Sequence, residues 1–197
     1  MDKHTVMSEV KRLLQGQKCQ AEVFSFYRPM FKTWELSMKK ILVLSDSHGN
    51  LNNMVTAVRN TSPEMIIHLG DCWGDADLLH RKFPFISMEQ VPGNCDCRQE
   101  FQERILLVEG KKILICHGHT LNVKAGYMNL KYTAEEREVD AALFGHTHCV
   151  FYDNHNGISY LNPGSIGAPP LGIPPSYGVL EVDGITGRIL TDVFYLE

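Results

Sequence analysis

The stretch Lys40-Ile41-Leu42-Val43-Leu44-Ser45-Asp46-Ser47-His48-Gly49-Asn50 decides how this chain is read. Four consecutive aliphatic residues, 41–44, predict a strand buried on both faces. Asp46 and His48 follow at spacing i, i+2, which puts both side chains on one side of an extended backbone. Gly49 lets the chain bend, and Asn50 is placed to cap a helix on which Leu51, Met54, Val55 and Val58 recur at i, i+3, i+4 and i+7. An apolar strand, a polar cluster at its carboxyl end and then a helix is the arrangement in which open α/β sheets present a ligand crevice.

The same grammar continues downstream. Residues 65–69, 85–91, 102–109, 112–116, 141–144, 150–153, 158–161, 179–182 and 188–195 read as strands, and 75–82 as a short helix. Glu109-Gly110-Lys111, Asn154–Gly157 and Asp183-Gly184 join neighbouring strands. Thr133 with Glu136 predicts a capped helix near 134–139, and Pro169, Pro170, Pro174 and Pro175 mark a stiff surface loop. Early βα units followed by mostly β structure predict an α/β fold in which two mixed β-sheets pack as a sandwich flanked by helices. Residues 1–37 read differently. Met7, Val10, Leu13 and Leu14 share a helical face, and Phe24, Phe26, Tyr27, Met30, Phe31 and Trp34 crowd a segment broken by Pro29. We therefore divide the chain into an N-terminal extension, 1–37, and a domain, 38–197.

Four further clusters repeat the opening motif: Gly70-Asp71, Gly93-Asn94-Cys95-Asp96, His117-Gly118-His119 and Gly145-His146-Thr147-His148. Each follows an apolar run. Imidazoles, carboxylates and one amide oxygen, without thiolates, suit Mn, Fe, Zn or similar ions better than a cysteine-rich structural zinc site does. One carboxylate can bridge two cations. Such a pair, roughly 3.5–4 Å apart, binds a nucleophile and stabilises the charge of an in-line displacement. His68, His80, His4 and His155 are expected to be ordinary core or surface residues.

Composition narrows the partners. With 197 residues, 44% hydrophobic and a net charge of −4, the chain has no basic field for nucleic acid. It also has no apolar run near the ~20 residues of a membrane span and no secretory leader, so a cytoplasmic location is expected. Of the six cysteines, Cys72, Cys95, Cys116 and Cys149 lie beside motif residues and Cys95 and Cys97 are too close together to staple much chain, so reduced thiols are expected.

Together and in this order, the clusters resemble the calcineurin-like metallophosphoesterase superfamily (D-x-H, G-D, G-N-[HD], H, G-H-x-H), and its small single-domain phosphodiesterase branch in particular. The resemblance spans about residues 38–197 and includes the turn Leu161-Asn162-Pro163-Gly164-Ser165. It implies that Asp46, His48 and His148 hold one divalent ion, that Asp71 bridges two, and that Asn94, His117 and His146 complete the second. Manganese is the first expectation, with Fe, Zn, Ni or Co as alternatives. The implied reaction is hydrolysis of a small phosphate ester, most readily a diester, by a metal-activated hydroxide. Asn94, Cys95 and His119 are the candidates for direct catalytic roles. Cys95 stands where many relatives carry a histidine that protonates the leaving oxygen, and a thiol is a weaker donor. Asp96 is placed to support the neighbouring loop. Arg98 and Lys124 are the nearest candidates for a further phosphate.

Two rival readings remain open at this stage. One is a non-catalytic interaction platform like the retromer scaffold subunit of similar fold; the other is a monoesterase or nucleotide phosphatase. Association into a homo-oligomer is left open.

Overall fold

In the computed structural model, residues 38–98 and 100–197 are described. The helical and aromatic pattern read in residues 1–37, with His4, lies outside them. The apolar run becomes β1 (Met38–Leu44), and its alternate residues explain why it is continuous. Ile41 and Val43 face one way, into a core shared with Ile67, Leu69, Ile113, Ile115, Leu143, Leu161 and Leu180. Leu42 and Leu44 face the other way, against Met54, Ala57, Val58 and Leu79. Both sides of Ile41–Leu44 are dry, so this part of the strand carries no polar residue, while Lys39 and Lys40 sit half-buried at its start.

Two five-stranded mixed sheets result. The first has the order β10 (Ile189–Tyr195), β9 (Ser176–Asp183), β1, β2 (Met65–His68), β3 (Ser87–Gln90). The second runs β4 (Glu103–Val108), β5 (Lys111–Cys116), β6 (Ala141–Leu143), β8 (Ile158–Pro163), β7 (Val150–His155). Helices α1 (Leu51–Thr61) and α2 (Trp73–Lys82) cover the first sheet through Met54, Ala57, Val58 and Leu79. Helix α3 (Met128–Glu136) covers the second through Leu130 and Ala134, which pack with Leu114, Ala142, Phe144 and Tyr160. The expected sandwich flanked by helices is therefore the observed fold.

Strands β1, β2 and β3 run parallel, as do β5, β6 and β8. All five polar clusters consequently follow the carboxyl ends of parallel strands. The two-residue turns Glu109-Gly110 and Asn156-Gly157 have φ of 48° and 78° and of 52° and 80°, the pairing that matches strand twist in tight hairpins.

Several expected boundaries move. The helix read at 134–139 spans Met128–Glu136 instead, with Thr133 in its interior and Tyr127 before it without a side-chain cap. Burial of Leu130 and Ala134 four residues apart places the helix, and that outweighs the capping-box signal. The strand read at 85–91 shortens to 87–90, because Phe85 is fully exposed and the Ile86 N–H donates to the Phe83 carbonyl in a turn. β9 starts earlier than expected, at Ser176 just after Pro175. The β9–β10 link is also longer than Asp183-Gly184: the Asp183 carboxylate accepts from Ile185 and Thr186 N–H groups to shape it. None of the described cysteines, 72, 95, 97, 116 and 149, is in a disulfide. Among the described residues no helix is long and apolar enough to cross a membrane.

Candidate metal centre

The loops after β1, β2, β3, β5 and β6 bring all seven expected ligand residues to one place. Asp46, His48, Asp71 and His148 each offer a ligand atom, and these atoms lie within 4.8 Å of one another. Asp46 Oδ1 is 3.1 Å from His148 Nε2, and Asp71 Oδ2 is 3.6 Å from His48 Nε2. On the other flank His117 Nε2 lies 3.1 Å from Asn94 Oδ1 and 3.5 Å from Asp71 Oδ1. The ring of His146 stands 5.0 Å from that of His117, centroid to centroid. Asp71 thus faces both groups. His119 sits at the edge, 5.4 Å from the His117 ring, with Nδ1 buried and without a hydrogen-bond partner.

Tautomers follow from the outer contacts. His117 Nδ1 is 2.7 Å from the Leu69 carbonyl and His148 Nδ1 is 2.6 Å from the Ala168 carbonyl. A carbonyl only accepts, so Nδ1 carries the proton in both rings. Each Nε2 then turns a lone pair toward oxygen atoms that are themselves acceptors. Asp46 Oδ1 is fully buried and has no hydrogen-bond partner. Asp46 and Asp71 are 0% and 2% exposed, and among the described residues all their ion-pair partners are histidines. Two buried carboxylates facing lone pairs call for positive charge from outside the chain. The donor set fits divalent cations.

Electrostatics agree. Burial pushes the Asp46 carboxyl up, but the close approach of His148, the neighbouring His117 imidazole and the Ser45 hydroxyl together hold it below the usual carboxylate value. Asp46 in turn raises His148 against the effect of burial, drawing toward that ring the charge a cation would supply. Burial, with His117 and Lys124 nearby, lowers His146 to about 4, leaving it a neutral donor.

The backbone is bent to make this cluster. Asp46, His48, Asp71, Cys72, His146 and His148 all have positive φ, between 42° and 72°, a region non-glycine residues enter only when held there. The holding contacts are visible. Asp46 Oδ2 accepts from the Ser45 hydroxyl and the His146 N–H, and Asp71 Oδ1 accepts from the Cys95 N–H at 2.9 Å. Ser165 Oγ donates to the Asp46 carbonyl at 2.8 Å, so this residue of the late turn locks the loop. Asn162, fully buried, donates to the Gly145 carbonyl and Thr147 Oγ1 and accepts from Gly164 N–H. Gly93 and Gly145 are required by close approach: a Cβ at either would collide with Asp71 or with Ser45 and Asp46.

Other expected residues resolve as follows. Asn50 caps α1, accepting from Asn53 N–H. Asp96 joins two elements, its oxygens accepting from Trp73 and Gly93 N–H at 2.8 and 2.9 Å. Cys95 lies exposed at the rim, where Asn94 Nδ2 donates to its sulfur at 3.4 Å. Desolvation and the adjacent Asp71 carboxylate push its thiol up to about 11, so it is neutral and poorly suited to donate a proton near pH 7. Arg98 is committed elsewhere, to Glu100 and over the Trp73 ring. His68 is fully buried and hydrogen-bonded, as a core histidine should be, and His80 and His155 are surface residues. In the sequence, the late turn points to Asn162 as a structural residue; for Ser45 the signal is its place beside a motif aspartate, and nothing local announces the contacts of Asp75.

Comparison with known proteins accords with this geometry. Residues 38–184 match the model of the calcineurin-like phosphoesterase superfamily domain. The probable metallophosphoesterase YsnB of Bacillus subtilis is 34% identical over 146 residues, 73% of this chain and 84% of that protein. Phosphodiesterase YfcE of Escherichia coli is 26% identical over 182 residues, 79% of this chain and 94% of its own. The crystal structure of wild-type Vps29 complexed with zinc, from Entamoeba histolytica, superposes with a TM-score of 0.60 at 21% identity, covering 79% of this chain and 98% of that one.

Proposed function

Because the chain belongs to the calcineurin-like phosphoesterase superfamily, we propose that it is a metal-dependent phosphodiesterase acting through two divalent ions, with manganese the first candidate. The observation that carries this reading is the pair of buried carboxylates, Asp46 and Asp71, facing imidazole Nε2 atoms whose ring protons are committed to carbonyls. Asp46, His48 and His148 hold the first ion, Asn94, His117 and His146 the second, and Asp71 both. When bound, the ions supply a water nucleophile available at neutral pH and positive charge for the phosphoryl oxygens.

The chain's own residues do the rest. The Leu69 and Ala168 carbonyls orient His117 and His148. The Cys95 N–H fixes one oxygen of Asp71, and Asn94 and His119 stand at the open side where a phosphate ester arrives. Cys95 keeps its proton, so leaving groups that need little protonation are favoured, as in diesters with acidic alcohols. The name of YfcE supports the diester class.

Chelator-stripped protein tested with bis-p-nitrophenyl phosphate and p-nitrophenyl phosphate, with and without Mn²⁺, decides the matter. Metal-dependent turnover of the diester, faster than of the monoester, is expected. Faster monoester turnover replaces the diester reading, and no metal-dependent hydrolysis of either moves the chain to the interaction-platform reading.

A further inference from the structure

Beneath the Asp46–Asn50 loop lies a carboxylate that no ligand pattern includes. Asp75 occupies the first turn of α2, half-buried. Its Oδ2 accepts two hydrogen bonds, from Ser47 Oγ and from the Gly49 backbone N–H, both at 2.7 Å. The two donors flank His48 on either side. Ser47 is held from behind as well: its Oγ is 3.2 Å from His68 Nε2, while Gly70 N–H approaches His68 Nδ1 at 3.4 Å. The ring proton of His68 is therefore on Nε2 and is given to Ser47 Oγ. The single Ser47 hydroxyl proton goes to the charged Asp75 oxygen at 2.7 Å in preference to the Asp71 carbonyl at 3.2 Å. The chain His68–Ser47–Asp75–Gly49 ties the loop after β1 to the helix after β2.

That loop needs a tie. Asp46, His48 and Gly49 sit at φ of 54°, 42° and 88°, and an unrestrained Asp or His leaves this region. We propose that Asp75 is a positioning residue. By clamping Ser47 and Gly49, it holds His48 turned toward Asp71 and so sets the affinity of the first metal site. This inference rests on the dinuclear reading. A clamp acts through hydrogen bonds, whereas a remote negative charge would act through its field, and the two separate by substitution.

The experiment is calorimetric titration of Mn²⁺ into the chelator-stripped full chain as wild type, Asp75→Ala, Asp75→Asn and Ser47→Ala, together with amide hydrogen exchange at Gly49 without metal. Asp75→Ala should weaken one of two binding events by roughly tenfold or more, the range seen when supports of metal ligands are removed. The other event should stay near wild type. Asp75→Asn, which keeps an oxygen for both donors, should recover most of the loss, and Ser47→Ala should fall between. Gly49 exchange should quicken in Asp75→Ala. Unchanged affinities in Asp75→Ala overturn the proposal, as does Asp75→Asn binding as weakly as Asp75→Ala. If the wild type binds no Mn²⁺, the dinuclear reading fails by itself. Gly49 exchange then still reports on the clamp, and equal rates in wild type and Asp75→Ala overturn it.

Discussion

Lowering the pH should reduce stability, and His68 is the fully buried contributor. This ring is fully buried at the end of β2, and burial lowers it to about 4 from the ordinary imidazole value of 6.5. Nearby Asp46, Asp75 and Asp96 pull the other way without overcoming burial. The folded state thus resists a proton that the unfolded chain accepts readily. Stability is complete above pH 6.5, where neither state is protonated, and falls as pH drops from 6.5 toward about 4, because only the unfolded state gains the proton. With these two values the linkage relation gives a loss of about 2 kcal/mol between about pH 7.5 and pH 5. Other histidines of the site add their own slopes, so the measurement is a difference. Urea unfolding of metal-stripped wild type and His68→Gln should be followed across this range. The amide can serve Ser47 Oγ and Gly70 N–H but does not titrate. His68→Gln should begin less stable at pH 7.5 and lose about 2 kcal/mol less on acidification than wild type. Parallel stability profiles for the two proteins would refute the burial argument.

Three substitutions test the site itself. Asp71→Asn should reduce the Mn²⁺ bound from two ions to one or none, measured by titration, and lower kcat/KM for the diester by at least about 100-fold. Gly93→Ala places a Cβ against the Asp71 carboxylate, with Asp71 Cγ only 2.9 Å away, and should weaken metal binding by roughly tenfold while far-ultraviolet circular dichroism stays unchanged. Cys95→His restores a proton donor beside the leaving oxygen, and should raise turnover of alkyl diesters relative to nitrophenyl diesters by roughly tenfold or more; an unchanged ratio removes Cys95 from the account of leaving-group preference.

The sheets and the convergence of the seven candidate residues were legible because they obey short-range rules. A strand dry on both faces must be apolar throughout, as Ile41–Leu44 is, and polar residues that meet in a crevice follow such strands at their carboxyl ends. The position of α3 was not legible. Thr133 and Glu136 imitate a helix start, and only the packing of Leu130 and Ala134 onto Phe144 and Tyr160 shows that the helix begins earlier. The late turn of Asn162 and Ser165 was legible as a structural turn, but the partners of these residues and the role of Asp75 were not, for a related reason. Asn162 and Ser165 act on loops 15 or more positions away, at Thr147 and Asp46, and Asp75 acts on Gly49 across 26 positions. No local pattern encodes such pairings; they exist only once the strands are side by side.

Anomalous diffraction from crystals soaked in Mn²⁺ tests the dinuclear centre most directly. Two peaks roughly 3.5–4 Å apart are predicted, with Asp71 between them, one bounded by Asp46, His48 and His148 and the other by Asn94, His117 and His146. A single peak, or none, at full Mn²⁺ saturation contradicts the account.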